Sequence, residues 1–178
     1  MIIYKQQLAG VYLFSAEFHQ DERGLFRRHY CEKELKNNGI IFSVKQGNIS
    51  ENNSKYTLRG FHYQKAPSNE SKIISCLTGS IYNVMIDLRK GSPTFLQWQE
   101  FRLSSAGRES LYIPVGCANA FLTLEDNTWI HYYMNDFFST ESLGFRYNDP
   151  AFPIPWPAAP KHLSDKDKNY PNLNISTL

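Results

Sequence analysis

The sequence is poor in cysteine and lacks the histidine pattern of a common metal site. Its three cysteines, Cys31, Cys76 and Cys117, are an odd number without close spacing, so reduced thiols are expected rather than a disulfide framework. The five histidines include no His-x-His pair: His19, His29, His62, His131 and His162. Since metal centres on strands often use two histidines separated by one residue, this spacing argues against a metal site.

An excess of one charge is also missing. The formal net charge is only +2 and the basic residues are scattered, which disfavours a nucleic-acid partner. No apolar run approaches the ~20 residues that cross a bilayer, and no segment resembles a signal peptide. We therefore expect a cytoplasmic protein that contacts neither nucleic acid nor membrane.

What the sequence does contain is typical of a β protein. Aromatic residues make up 15% of the chain, and such side chains pack well on pleated surfaces. Residues 81–88 alternate with a period of two, as expected for a half-buried antiparallel strand. Further strands are predicted at residues 72–77, 97–103, 110–113, 121–124 and 128–134. Many short strands at this spacing predict an all-β sandwich or jelly-roll barrel, formed by residues 1–178 as one domain.

Helix is expected to be scarce. Residues 32–36 can form one short helix that ends near Gly39, where a residue without Cβ can take a positive φ. The segment after Asn148 carries six prolines, so it should cover the body as irregular chain.

The segment 58–64 reads Leu-Arg-Gly-Phe-His-Tyr-Gln and joins one histidine to a guanidinium, an aromatic ring and a glycine. In this setting His62 could transfer a proton while Arg59 holds an anion. The alternative is a hydrogen-bonded histidine of the core. The segment alone does not decide between the two interpretations.

Seven segments in a fixed order provide a more specific signature: residues 21–26, 58–64, 87–95, 113–116, 148–150, 154–157 and 163–167. Together they closely resemble the dTDP-4-dehydrorhamnose 3,5-epimerase family of nucleotide-sugar enzymes over about residues 8–171. The resemblance implies a cupin-like jelly roll that needs no metal or redox cofactor. It also implies a homodimer with an exchanged N-terminal strand.

The resemblance assigns catalytic roles to four residues. His62 would remove a proton beside the C4 ketone of the sugar, and Tyr132 would return one on the opposite face. Asp167 would hold the histidine by accepting its Nδ1 hydrogen, and Lys72 would stabilise the enolate. From the residues alone, simpler interpretations are available. Tyr132 could be a buried strand tyrosine, Asp167 part of a solvated charge run, and Lys72 an exposed lysine at the start of a strand.

Other positions match the substrate pocket of the family: Arg23, Phe26, Gln46, Asn48, Arg59, Asn119 and Phe138. The two arginines suit the diphosphate, because guanidinium groups bind phosphate oxygens in a bidentate manner. Gln46 and Asn48 would line the pocket. Alternatively, they are ordinary polar residues of a strand or turn. The two phenylalanines could stack on the base or the sugar, or simply pack in the core.

Three positions depart from the family pattern. Asn119 stands where the family has an active-site histidine, and an amide cannot exchange a proton near pH 7. Arg28 replaces a common glutamate, and Phe138 replaces a common tyrosine. Since the base, its aspartate and the tyrosine are retained, the reaction class is better defined than the substrate.

The resemblance therefore implies an epimerase that inverts C3, C5 or both in a 4-keto-6-deoxyhexose linked to dTDP, CDP or GDP. The reaction would pass through an enolate and serve the synthesis of bacterial surface polysaccharides such as O-antigen. One alternative is a ketoisomerase that moves the carbonyl between C3 and C4. Another is a non-catalytic sugar-nucleotide binding module, which Asn119 makes conceivable.

Overall fold

The computed structural model describes residues 1–137 and 142–178, and within them the chain forms two main sheets and a hairpin. The six-stranded sheet has the order β1 (Ile2–Lys5), β2 (Tyr12–Ser15), β10 (Glu109–Ile113), β7 (Lys72–Thr78), β12 (Thr128–Met134) and β5 (Gln46–Asn52). The five-stranded sheet has the order β13 (Leu143–Gly144), β6 (Leu58–Tyr63), β11 (Cys117–Thr123), β8 (Ser80–Asp87) and β9 (Trp98–Ser104). The hairpin consists of β3 (Phe18–Asp21) and β4 (Gly24–Arg27).

The two main sheets pack against each other around a shared apolar core. Ile74 and Ile130 enter it from the six-stranded sheet, and Met85 and Phe121 enter it from the five-stranded sheet. Each fully buried side chain of this kind stabilises the fold by ~1.5–3 kcal/mol relative to exposure. The predicted all-β jelly roll is confirmed, and the predicted strands are present with ends shifted by a few residues.

Strand β8 is buried on both faces, so the expectation of a half-buried strand was wrong. Its inner face contributes Ile81 and Met85 to the core between the sheets. Its outer face, which includes Val84, packs beneath Phe152 and Trp156 of the proline-rich segment. That segment covers the sheet as largely irregular chain, as predicted. Alternation in a sequence reveals two faces of a strand but not what covers each of them.

The helices lie outside the sheets. Helix α1 (Glu32–Asn37) buries Leu35 in a cluster with Phe14 and Ile73 on the outer side of the six-stranded sheet. It ends before Gly39, whose φ is 79°, so the predicted short helix is confirmed. Helix α2 (Asp165–Asn169) contacts β6, and a short 3₁₀ helix (Ile175–Thr177) follows it. Within the described ranges, the chain forms no helix with the length and apolar character needed to cross a bilayer.

Asp87 organises the loop that follows β8. Its carboxylate accepts hydrogen bonds from Arg89 Nε at 2.7 Å, from Thr94 Oγ1 at 2.7 Å and from the Ser92 hydroxyl. Burial alone would raise the pKa of Asp87, but these donors lower it to about 2. The motif at residues 87–95 therefore has a structural role, since it locks a loop around one buried carboxylate.

Candidate active site

A cavity of about 260 Å³ lies between the two main sheets. Strands β5, β7 and β12 line it on one side, and β6 and β11 line it on the other. Six of the residues predicted from the sequence meet there: Asn48, Arg59, His62, Lys72, Asn119 and Tyr132. The volume lies just below the range of ~300–1,000 Å³ that is usual for small-molecule sites, so it suits a sugar ring better than a whole nucleotide sugar.

A close approach of β6 to β11 places His62 in the cavity wall. Gly60 has a φ of 115°, and a Cβ at this position would lie 2.6 Å from the carbonyl oxygen of Asn119. Only glycine fits both the backbone conformation and the space. His62 and Asn119 are cross-strand partners, and the register shifts just beyond them. Their side chains therefore lie side by side on the same face.

The imidazole of His62 is held by a buried carboxylate. Its Nε2 lies 2.6 Å from Oδ1 of Asp167, whose side chain is only 4% exposed. The expectation that Asp167 contacts Nδ1 was wrong, because α2 brings the carboxylate to the Nε2 side of the ring. With Nε2 donating its hydrogen to Asp167, Nδ1 is the nitrogen that can accept a proton.

Asp167 is kept ionised by its neighbours. Burial alone would raise its pKa, but hydrogen bonds from His62, from the Ser164 hydroxyl and from the Gly60 N–H lower it below the ordinary value. The main-chain N–H of Asp167 also donates to Ser164 Oγ at 3.0 Å, which caps α2. An ionised carboxylate at this position stabilises the imidazolium that forms when His62 takes a proton.

An aromatic ring fixes the other side of the imidazole. Tyr170 packs edge-on against His62, with 6.1 Å between the ring centroids. Gly144 makes room for it, since a Cβ there would lie 2.4 Å from the Tyr170 ring. The histidine is thus oriented by a hydrogen bond and by packing, both supplied from the C-terminal part of the chain.

Tyr132 reaches the cavity from the opposite sheet. It lies on β12, whereas His62 lies on β6, so the two side chains approach a bound molecule from different walls. Burial raises the pKa of Tyr132 well above its usual value, and the nearby Arg59 only partly opposes this effect. The phenol is therefore protonated at neutral pH and can act as a proton donor.

The remaining predicted polar residues are fixed by neighbours on the strands. Arg59 Nε donates to Asn52 Oδ1 at 2.8 Å, which holds the guanidinium beside the cavity. Asn48 lines the cavity directly, whereas Gln46 is not part of its wall and donates through Nε2 to Asn48 Oδ1 at 3.2 Å. Gln46 thus supports a lining residue.

Asn119, at the position where the family pattern has histidine, faces a second amide. Its Nδ2 donates to Asn83 Oδ1 at 2.5 Å and to the Val84 carbonyl at 3.3 Å. Asn83 is fully buried on β8, and its own Nδ2 has no hydrogen-bond partner among the described residues. A neutral amide pair therefore lies next to the ionisable pair of His62 and Asp167.

Other predicted residues do not reach this cavity. Arg23 and Phe26 lie on the β3–β4 hairpin, where Arg23 forms an ion pair with Asp21 at 2.6 Å and Phe26 is 75% exposed. Arg28, the replacement for a common glutamate, pairs with Glu34 at 2.5 Å on the surface. Phe138 was also predicted to bind the substrate, but this residue lies outside the described part of the chain.

Sequence reasoning missed further polar residues of the site. Glu70 and Gln64 are both buried in the cavity wall, and Asn83 supports Asn119 from behind. Glu70 could have been recognised, because it precedes Lys72 by two positions and so shares its face of an extended chain. Asn83 could have been recognised as an amide on the inward-facing side of β8.

Two of the three cysteines, Cys76 and Cys117, are buried and structural rather than reactive. All three are free, and burial raises the pKa of Cys76 and of Cys117 to about 12. Across residues 1–137 and 142–178, no three or more His, Cys, Asp or Glu side chains come together as a metal-binding group.

A jelly roll whose cavity receives a histidine from one sheet, held by an aspartate of α2, and a protonated tyrosine from the other sheet has the parts of an acid–base enzyme. Comparison with known proteins identifies the family within this class of enzymes. The family model for dTDP-4-dehydrorhamnose 3,5-epimerase matches residues 5–174. The dTDP-4-dehydrorhamnose 3,5-epimerase of Shigella flexneri is 34% identical over 177 residues, which cover 95% of this chain and 94% of the relative. The chain belongs to the dTDP-4-dehydrorhamnose 3,5-epimerase family.

Solved structures agree with this assignment. The dTDP-4-dehydrorhamnose 3,5-epimerase of Bacillus anthracis, solved with TDP and PPi bound, is 36% identical with a TM-score of 0.93, covering 97% of this chain and 99% of that one. A 3′-monoepimerase from Streptomyces bikiniensis, solved with dTDP-quinovose, is 27% identical with a TM-score of 0.88, covering 97% and 87%. The predicted family is confirmed, and the comparisons favour an epimerase over a ketoisomerase or a non-catalytic binding module.

Proposed function

We propose that this protein epimerises a nucleotide-linked 4-keto-6-deoxyhexose at C3, C5 or both. The observation that carries the proposal is the convergence of two proton-transfer groups on one cavity from opposite sheets. One is His62 with its ionised partner Asp167, and the other is the protonated Tyr132. Inversion at carbon requires a proton to leave one face and to arrive on the other, and this arrangement supplies both steps.

The chemistry begins at His62. Nδ1 takes the proton from the carbon beside the C4 ketone, the electrons of the broken C–H bond form a C=C bond to C4, and the π electrons of the carbonyl move onto the C4 oxygen to give an enolate. Lys72 lies in the same cavity and stabilises the developing negative charge. Tyr132 then gives its proton to the opposite face of the carbon, while solvent restores the protonation states of both residues. The reaction is redox-neutral, so it needs no redox cofactor.

We infer that the sugar occupies the cavity and that the nucleotide lies outside it. Arg59 is at the cavity wall, where it can bind the diphosphate next to the sugar. A thymidine nucleotide is favoured, because the Bacillus anthracis relative binds TDP and the Streptomyces bikiniensis relative binds dTDP-quinovose. CDP and GDP sugars are the competing substrates to be tested.

The pair of amides, Asn119 and Asn83, supports a reaction that favours one of the two carbon centres over inversion of both. Asn119 is the cross-strand neighbour of His62 but cannot exchange a proton, and its partner Asn83 is also neutral. We therefore propose that one of C3 and C5 is activated much faster than the other. The family includes structural relatives of both kinds, a 3,5-epimerase and a 3′-monoepimerase.

We further propose a homodimer of a one-domain chain, with an exchanged N-terminal strand. β1 is an edge of the six-stranded sheet and exposes Ile2 and Tyr4, while the nearby hairpin exposes Phe18 and Phe26. An exposed edge strand with apolar side chains is ready to pair with another chain. In such a dimer, Arg23 and Phe26 would contact the nucleotide. Cytoplasmic synthesis of surface-polysaccharide sugars is the setting we propose.

Proton NMR in D2O provides the test. The dTDP-, CDP- and GDP-linked 4-keto-6-deoxyglucose substrates are incubated with the protein, and deuterium at C3 and C5 is followed together with product configuration. The expected result is exchange with inversion in the dTDP sugar. Movement of the ketone to C3 would identify a ketoisomerase, and absence of exchange in all three substrates would identify a binding module.

A further inference from the structure

Glu70 is a buried carboxylate at the wall of the active-site cavity. Its side chain is 1% exposed, and neither of its oxygens has a hydrogen-bond partner among the described residues. One cation contacts it: Lys72 Nζ lies 2.9 Å from Oε1, a distance at which the charges attract although the angles do not make a hydrogen bond. A carboxylate removed from water in this way is strongly destabilising unless a positive charge stays beside it.

The same contact restrains the lysine. Lys72 is 24% exposed, and a lysine side chain that lines an open cavity can adopt many rotamers. A buried anion 2.9 Å from Nζ selects those rotamers in which the ammonium stays at the wall. The two residues are separated by one position and therefore lie on the same side of the extended chain.

The backbone around the pair is clamped. Ser71, which lies between the two residues, donates its N–H to Asn135 Oδ1 at 2.7 Å, and the Asn135 N–H donates to the Ser71 carbonyl at 3.3 Å. Lys72 is paired in register with Met134 on one side and with Ile113 on the other. Both side chains thus project from a segment that is fixed to its neighbouring strands.

We propose that Glu70 is a positioning residue that fixes the ammonium of Lys72 at the wall of the cavity shared with His62. The inference rests on the proposed epimerase function, in which Lys72 faces the oxyanion that forms at C4. A cation already in place stabilises that charge without reorganising during the reaction. Glu70 itself does not take or give a proton in this scheme.

Three variants test the proposal: Glu70→Gln, Lys72→Met and the double variant. We expect Glu70→Gln to lower kcat for deuterium exchange about tenfold with KM changed less than about twofold, because the loss falls on the transition state. Lys72→Met should lower kcat further. The double variant should be no slower than Lys72→Met, since Glu70 acts through the lysine. Glu51→Gln, at an exposed carboxylate on β5, is the matched control and should keep native kinetics.

Thermal unfolding of the same proteins tests the ion pair without reference to activity. Lys72→Met should melt at a lower temperature because it leaves a buried carboxylate unpaired, and adding Glu70→Gln should recover part of the loss. Native kcat in Glu70→Gln, or kinetic penalties that multiply in the double variant, would overturn the proposal. If the native protein exchanges none of the candidate sugars, the proposed function fails separately. In that case additive shifts in melting temperature would overturn the pairing, and non-additive shifts would support it.

Discussion

Nε2 of His62 and Oδ1 of Asp167 lie 2.6 Å apart, although 105 positions separate the two residues in the chain. The histidine belongs to a strand of the five-stranded sheet, and the aspartate belongs to a one-turn helix near the C-terminus. A carboxylate in this contact sets the tautomer of the ring and stabilises its protonated form. The contact therefore links proton abstraction to the packing of a distant segment.

Replacing His62 should abolish catalysis without unfolding the protein. His62→Ala is expected to slow exchange at every activated carbon by ~10²–10⁴-fold, the usual cost of losing a general base. His62→Asn should lose as much activity while keeping an N–H donor for Asp167. NMR in D2O and thermal unfolding provide the two readouts, with the exposed His162→Ala as the control. Native turnover in either variant would remove His62 from the reaction.

Tyr132→Phe should separate exchange from inversion. The substitution keeps the ring and removes only the phenol, so deuterium can still enter from the side of His62 while the inverted product is lost. Tyr133→Phe is the matched control, because Tyr133 packs in the cluster on the outer side of the same sheet. Product configuration is read from proton couplings. An unchanged yield of epimer from Tyr132→Phe would assign the acid role to another group.

The pair formed by Asn83 and Asn119 should limit the number of centres inverted. In the native protein we expect deuterium to enter one of C3 and C5 much faster than the other. Asn119→His should reduce this bias, and Asn83→Asp together with Asn119→His should reduce it more, because a carboxylate stabilises the imidazolium. Asn83→Asp alone should cost ~3 kcal/mol of stability, since it buries an unpaired charge. Equal incorporation at both carbons by the native protein, with a doubly inverted product, would contradict this prediction.

Ser164 should affect catalysis through the helix that carries Asp167. Ser164→Ala removes the cap of α2, which typically costs ~1 kcal/mol, and also removes a hydrogen bond to the Asp167 carboxylate. We expect kcat to fall several-fold, while Ser164→Thr restores most of it because the hydroxyl is kept. Steady-state kinetics with the exchange assay would check this. Equal losses in the alanine and threonine variants would show that the hydroxyl is not responsible.

A second histidine site should make the fold sensitive to mild acid. His29 Nε2 contacts Ser75 Oγ at 3.1 Å and His131 Nδ1 at 3.4 Å, and burial, aided by His131 and Arg27, lowers its pKa to about 4. Between about pH 6.5 and pH 4 the unfolded chain binds a proton at this residue that the folded chain does not bind. Stability should therefore fall as the pH falls through this window.

The loss at His29 should be on the order of 1–2 kcal/mol, since the ring is partly hydrated. Denaturant unfolding between pH 7 and pH 4 measures it. His29→Gln should flatten the slope, whereas His162→Gln at an exposed site should not. An identical slope in native protein and His29→Gln would exclude this residue as the source.

The sequence predicted those parts of the molecule that depend on local patterns. Alternation and turn residues located β7 to β12, and the Gly39 signal located the end of α1. The meeting of His62, Tyr132 and Asp167 could not be derived from such patterns, because it depends on which strands pair and where the tail docks. Ordered family motifs supplied that information instead.

The predictions that were wrong, and the residue that was missed, also have physical explanations. Alternation in β8 indicated one exposed face, but the proline-rich segment covers that face with aromatic rings. The ring nitrogen that contacts Asp167 depends on the direction from which α2 approaches, and no sequence pattern reports that direction. The importance of Glu70 was missed because a single acidic residue before a strand is usually solvated; here it is buried.

The covering of β8 by the proline-rich segment has a consequence for how the protein is made. The ribosome produces the strands of both sheets before it produces Asp167, and chains begin to fold from the N-terminal side during synthesis. A nascent chain that has formed its barrel still lacks the partner of His62 and the ring of Tyr170. Acid–base activity becomes available when the segment that carries Asp167 and Tyr170 docks, so turnover reports that this docking has taken place.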